Sequence, residues 1–263
     1  MAGLITFRFI KNDFLAAVAE FLGTAYFLFM GVGGALAFGT SEIGNVGIPF
    51  SFGWSLMVNV FLWSPISGGV FNPAITVGLM VTRHLPIVRG ILYIIAQFLG
   101  ALFGSLLIKA LVPAPANGPT SVNTSVAQGF FLEMFATSVL TFAVLFIAAG
   151  KIPKDDGEKK DKKKGEFMAP FVIGISLFIS ALSVGPFTGA SLNPARTFGP
   201  AVVFGNYGNG HWIYYIGTTA GSLLAAGYWY FYTVVFDYEV ISGANIEKDE
   251  YDVDPSKGDI ESR

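Results

Sequence analysis

The sequence predicts an all-α membrane protein of six transmembrane helices and two re-entrant half-helices, built as an inverted repeat. Three observations carry this. Charged residues make up 13% and hydrophobic residues 53% of the 263 positions, whereas a surface facing water carries about 25% charge. Six apolar stretches approach the ~20 helical residues that cross a bilayer core of about 30 Å. Short segments, an Asn-Pro-Ala tripeptide among them, occur twice, once in each half.

In chain order, residues 1–13 form a short N-terminus. The first span, 14–38, follows Arg8, Lys11 and Asp13; at 25 residues it is too long for a signal-peptide core. Further spans are expected at 47–63, 90–112, 126–149, 167–184 and 212–236. Apolar segments at 72–82 and 193–204 are too short to cross; as helices they cover about 15 Å, half the core. Together these make one domain, 14–236, with halves at 14–112 and 126–236 and a charged loop at 151–166. The tail, 237–263, carries nine acids and three bases and is expected to be disordered.

Lys and Arg set the orientation. Arg8 and Lys11 precede the first span, Arg83 and Arg89 follow the second, and seven Lys between 151 and 164 follow the fourth. The opposite connections, 39–46 and 113–125, contain neither residue. Both termini are therefore expected in the cytoplasm, with the protein in the plasma membrane or an intracellular (vacuolar) membrane. Lys109 lies near the outer end of the third span, where it can snorkel. The sequon Asn123-Thr124-Ser125 falls in an outer connection, making Asn123 the candidate glycan acceptor.

The halves repeat. Glu20-Phe21-Leu22-Gly23-Thr24 echoes Glu133-Met134-Phe135-Ala136-Thr137. Asn72-Pro73-Ala74 recurs as Asn193-Pro194-Ala195, an offset of 121 that Gly100 and Gly221 share. Three spans per repeat is odd, so the second half enters from the opposite face, and short interrupted segments in matching positions mark the pathway.

Each Asn-Pro-Ala reads as a helix start. Asn is a favoured N-cap, and Pro suits the first helical position, where its missing N–H costs nothing. Inverted symmetry brings the two N-termini together inside the membrane, where non-helical backbone is tolerated only in protein or beside a watery cavity. Each Asn oxygen caps a backbone N–H, and its NH₂ is expected to be free to donate into the pathway. Two positive dipole ends and two Asn donors form a site hostile to cations. A water there turns its oxygen to the Asn groups, which interrupts a proton relay.

Two such motifs, each after a Ser/Gly-rich loop, give the chain its resemblance. The segments Ser67-Gly68-Gly69-Val70-Phe71-Asn72-Pro73-Ala74 and Thr188-Gly189-Ala190-Ser191-Leu192-Asn193-Pro194-Ala195-Arg196 resemble those of the aquaporin (major intrinsic protein) family. The resemblance covers about residues 12–236 and implies an aquaporin-like bundle with one pore per subunit, in homotetramers. It implies that Glu20 and Glu133, the carboxylates deep in the spans, accept hydrogen bonds from the re-entrant loops; a direct role in the pathway is the alternative reading of intramembrane acids. It also implies a selectivity filter, which counting from the motifs places at Phe52, Ala181, Ala190 and Arg196. Ala181 departs from the strict water-channel pattern, which has His there, so a wider and less polar opening is expected. Glycerol-conducting relatives typically carry Asp where this chain has Thr197; Ala201 and Tyr214-Tyr215 also resemble the water-channel branch.

Composition excludes other classes. A net charge of −2 without a basic face argues against nucleic acid. With no Cys and two His, His84 and His211, both near membrane boundaries, no metal site or cofactor is expected. No nucleophile–base pair points to an enzyme. The expected function is a passive channel for water, with glycerol, hydrogen peroxide or ammonia as further small neutral solutes, closed to protons and ions. An ion channel of similar topology and a poorly conducting adhesion or scaffold protein are the competing readings. The 151–166 loop is either a solvated connection or a lid over the cytoplasmic mouth, with Ile152, Pro153 and Phe167 as candidate gate residues.

Overall fold

The computed structural model describes residues 2–39, 41–113, 120–149, 163–205 and 207–235. Among these there is no strand. Six long helices are α1 (Ala2–Phe38), α2 (Gly44–Ser67), α4 (Ile87–Leu111), α5 (Val126–Ala143), α6 (Lys163–Thr188) and α8 (Ile213–Tyr230). Two short ones, α3 (Pro73–Val81) and α7 (Pro194–Phe204), start directly after the two motif Asn residues. In the second half, α5 and α8 run on as π-helical turns, Val144–Ala149 and Phe231–Val235.

Several boundaries differ from the apolar stretches. α1 begins at Ala2, inside the expected N-terminal segment, and α6 at Lys163, inside the charged loop. A helix closes its own backbone bonds and need not stop where the apolar run does. Five helices are long and apolar enough to cross a membrane by length and composition. The sixth expected span, α8, falls short because Tyr, Thr and Gly interleave its Leu and Ala, but it packs along α5 as α4 packs along α1.

The inverted repeat is visible in the packing. α1 lies against α2 and α4, and α5 against α6 and α8. The halves join where α2 meets α6, and each half-helix crosses over: α3 packs chiefly on α8, α7 on α4. Even the helix-interior prolines correspond, Pro49 with Pro170 and Pro65 with Pro186. Lys109 of α4 snorkels to a specific target, the Val203 carbonyl in the last turn of α7, at 3.0 Å, where a cation suits the negative helix end. Asp13 and Arg89 tie α1 to the start of α4.

The α2–α6 crossing permits no side chain. A Cβ on Gly53 would lie 2.7 Å from the Gly174 carbonyl oxygen, and one on Gly174 2.7 Å from that of Gly53. Gly227, on an exposed face of α8, has nothing within 4 Å of its Cβ position. Gly174→Val is therefore expected to cost about 1–3 kcal/mol or more by overpacking, seen as a fall in the thermal midpoint of detergent-solubilised protein. Gly227→Ala should leave that midpoint unchanged or raise it, since Ala favours a helix over Gly by about 1 kcal/mol.

Candidate functional site

The two loops that lead into α3 and α7 are wound alike. Gly68, Gly69 and Phe71 have φ of 95°, 68° and 51°, and Gly189, Ala190 and Leu192 have 73°, 48° and 53°. Left-handed backbone at Phe71, Ala190 and Leu192 is unfavourable by about 1–2 kcal/mol per residue. Its effect is to turn successive N–H groups toward a buried carboxylate. Glu20 accepts at Oε1 from Ser67 Oγ (2.6 Å) and the Val70 N–H (3.0 Å), and at Oε2 from the Phe71 N–H (2.7 Å) and Gln97 Nε2 (2.8 Å). Glu133 accepts at Oε1 from Thr188 Oγ1 (2.7 Å) and the Ser191 N–H (2.9 Å), and at Oε2 from the Leu192 N–H (2.8 Å). Both glutamates are fully buried. A carboxylate bonded by neighbouring N–H groups is among the stronger hydrogen-bonded arrangements available in a protein.

At the helix starts, Asn72 Oδ1 accepts the Ala74 N–H at 3.0 Å and Asn193 Oδ1 the Ala195 N–H at 2.9 Å. Their amide nitrogens do not point wholly into the pathway. Asn72 Nδ2 donates to the Leu192 carbonyl and Asn193 Nδ2 to the Phe71 carbonyl, each at 2.8 Å. One hydrogen of each NH₂ thus bridges to the opposite loop, which corrects the expectation of a free group. The reason is local: residues 71 and 192 have positive φ and end the loops, and their buried carbonyls need a donor.

Arg196 follows the second motif at the side of this junction. Its guanidinium carbon stands 4.6 Å over the Phe52 ring, and Nη2 reaches the Gly189 carbonyl at 3.4 Å. The structure therefore brings together Phe52, Arg196 and the loop that carries Ala190. Ala181 is buried on α6, its side chain a single methyl group. The Phe27 ring packs edge-on to Phe52 at 5.8 Å, a contact that nothing in its local sequence marks among 26 phenylalanines.

The remaining candidates lie elsewhere. Asn123 is exposed, with Nδ2 donating to the Pro186 carbonyl at 3.3 Å. Ile152 and Pro153 fall outside the described residues, as do loop residues 151–162 and the tail; Phe167 lies in α6, its side chain not described. His84 packs edge-on to Trp229 at 4.9 Å. His211 sits between Tyr207 and Tyr215, where burial pushes its imidazole below the usual range. Among the described residues no three His, Cys, Asp or Glu are grouped as metal ligands.

A family model described as Major intrinsic protein matches residues 8–230. The chain belongs to the major intrinsic protein family. It is 55% identical over 244 residues to a protein named Aquaporin-1 from Rhizophagus irregularis, covering 90% of this chain and 84% of that one. It is 41% identical to a protein named Aquaporin-7 from Botryotinia fuckeliana, of which it spans 51%. The fold also matches the X-ray structure of the aquaglyceroporin from Plasmodium falciparum, with a TM-score of 0.69 at 22% identity over 86% of this chain and 96% of that one. As a major intrinsic protein it is a passive transmembrane channel and not an enzyme.

The carboxylate anchors yield a direct prediction. Glu133→Gln turns one acceptor oxygen into an NH₂ facing a backbone N–H, whichever way the amide is placed. Glu133→Gln and Glu20→Gln should each destabilise by about 1–3 kcal/mol, the cost of an unsatisfied buried donor. Thermal unfolding in detergent checks this; midpoints matching wild type would mean the loops hold their shape without the carboxylates.

Proposed function

We propose that the protein conducts water in single file, admits small neutral solutes, and excludes protons and ions. The observation that carries this is the reciprocal bridge of Asn72 and Asn193 between the two half-helix N-termini. Each amide keeps one hydrogen for a passing water, and the two helix ends add positive potential at the same place. A water held by its oxygen there has no partner for proton hopping, and a cation meets repulsion. Phe52, Ala181, Ala190 and Arg196 form the narrower filter, with the Gly189 carbonyl fixing the guanidinium. Ala181 and Ala190 leave it wide enough for glycerol, hydrogen peroxide or ammonia.

The family resemblance supports a homotetramer, and the Lys and Arg distribution favours cytoplasmic termini. The 151–166 segment has two readings, a solvated connection or a lid over the cytoplasmic mouth; a long loop adds little closure entropy over a short one.

Stopped-flow light scattering on proteoliposomes, with water and then glycerol gradients, tests the reading. Ala181→His should lower glycerol flux more than water flux; equal losses, or a loss of water flux alone, would remove Ala181 from the filter. Replacing residues 154–165 with a short Gly-Ser linker should raise water permeability per channel several-fold if the segment is a lid. Unchanged permeability would make it a solvated connection.

A further inference from the structure

Behind the second half-helix runs a line of three buried hydroxyls. Thr120, in the connection between α4 and α5, places Oγ1 2.9 Å from Thr197 Oγ1. Thr197 Oγ1 donates to Ser191 Oγ at 2.6 Å, and Ser191 Oγ donates to the Asn193 carbonyl at 2.9 Å. Counting hydrogens fixes the direction of each bond. A carbonyl only accepts, so the single hydrogen of Ser191 goes to Asn193. Ser191 must then accept from Thr197, and Thr197, its hydrogen used, must accept from Thr120.

This relay exists in one half only. The counterpart of Thr197 is Thr76, which bonds Gln97 and the Asn72 carbonyl instead, and Val70 stands where Ser191 supplies its hydroxyl. The α4–α5 connection also presses on the loop it serves. A Cβ on Gly189 would lie 3.1 Å from both Thr120 Cα and the Ser121 nitrogen, and the Asn123 N–H donates to the Phe187 carbonyl at 2.8 Å. The Tyr214 hydroxyl donates to the Thr188 carbonyl, just before this loop, at 2.7 Å. The segment so held, 189–193, contains the carbonyl that receives Arg196.

We propose that Thr120 is a positioning residue for solute selectivity. It touches no permeating molecule; through Thr197 and Ser191 it holds residues 189–193 against Arg196 and so limits the width of the filter. This rests on the channel reading above. It makes the connection between the halves, and not only the motifs, a determinant of which solutes pass.

Thr120→Val removes the hydroxyl and keeps the shape, Thr120→Ser keeps the hydroxyl, and Thr197→Val breaks the relay in the middle. Two readouts are needed: backbone hydrogen exchange of reconstituted protein, and the glycerol-to-water permeability ratio in proteoliposomes. Loss of one ordinary buried hydrogen bond corresponds to about a three- to tenfold change in a local opening equilibrium. Thr120→Val and Thr197→Val should speed exchange at 189–193 by about that factor, leave α1 and α2 unchanged, and raise the permeability ratio. Thr120→Ser should match wild type in both. Unchanged exchange at 189–193 overturns the proposal. So does faster exchange spread equally over α1 and α2, or local loosening with an unchanged ratio, which would make the contact purely structural. If Thr120→Val fails to fold, Thr197→Val decides by the same criteria. If wild type passes neither water nor glycerol, the channel reading fails on its own, and local exchange alone then decides whether Thr120 holds the loop.

Discussion

A backbone that stops being helical within a membrane must find partners for its N–H and C=O groups in the protein itself. The rest of this structure depends on how that demand is met. Glu20 and Glu133 take the N–H groups of the two loops, and the carbonyls of Phe71 and Leu192 take the amides of Asn193 and Asn72. Because each loop completes the other, neither half-helix can be placed without its mate. Packing follows the same rule, with α3 lying on the last helix of the second half and α7 on the last helix of the first.

Where the halves agree, they build the junction. The glutamates, the motif asparagines, the loop twists and Tyr93 and Tyr214 all correspond, each tyrosine hydroxyl donating to the carbonyl at the end of the preceding long helix. The differences gather on one side of the junction. Ile75 holds the place in the first half that Arg196 holds in the second, and both are buried. A single guanidinium, set over Phe52 and held by the Gly189 carbonyl, therefore puts the proposed filter on one side of the crossing.

Much of this was legible in the sequence. The half-helix starts at Asn72 and Asn193 were readable because N-cap and first-turn chemistry are local. The glutamates were readable because an acid in an apolar span demands an explanation. The reciprocal Asn bridges were not, since they depend on positive φ at Phe71 and Leu192, residue types that carry no signal for it. Thr120 was equally silent: it is one hydroxyl in a polar connection, and its partner Thr197 lies 77 positions away. The start of α1 at Ala2 was missed because hydropathy marks the membrane's extent and not the helix's.

The central claim is that two interrupted helices, locked through Asn72 and Asn193, pass water while breaking proton transfer. The direct measurement records water and proton flux in the same proteoliposomes, by osmotic shrinkage and an entrapped pH dye. The account predicts protein-dependent water flux with proton flux equal to that of protein-free vesicles. Proton flux that rises in proportion to incorporated protein would contradict it.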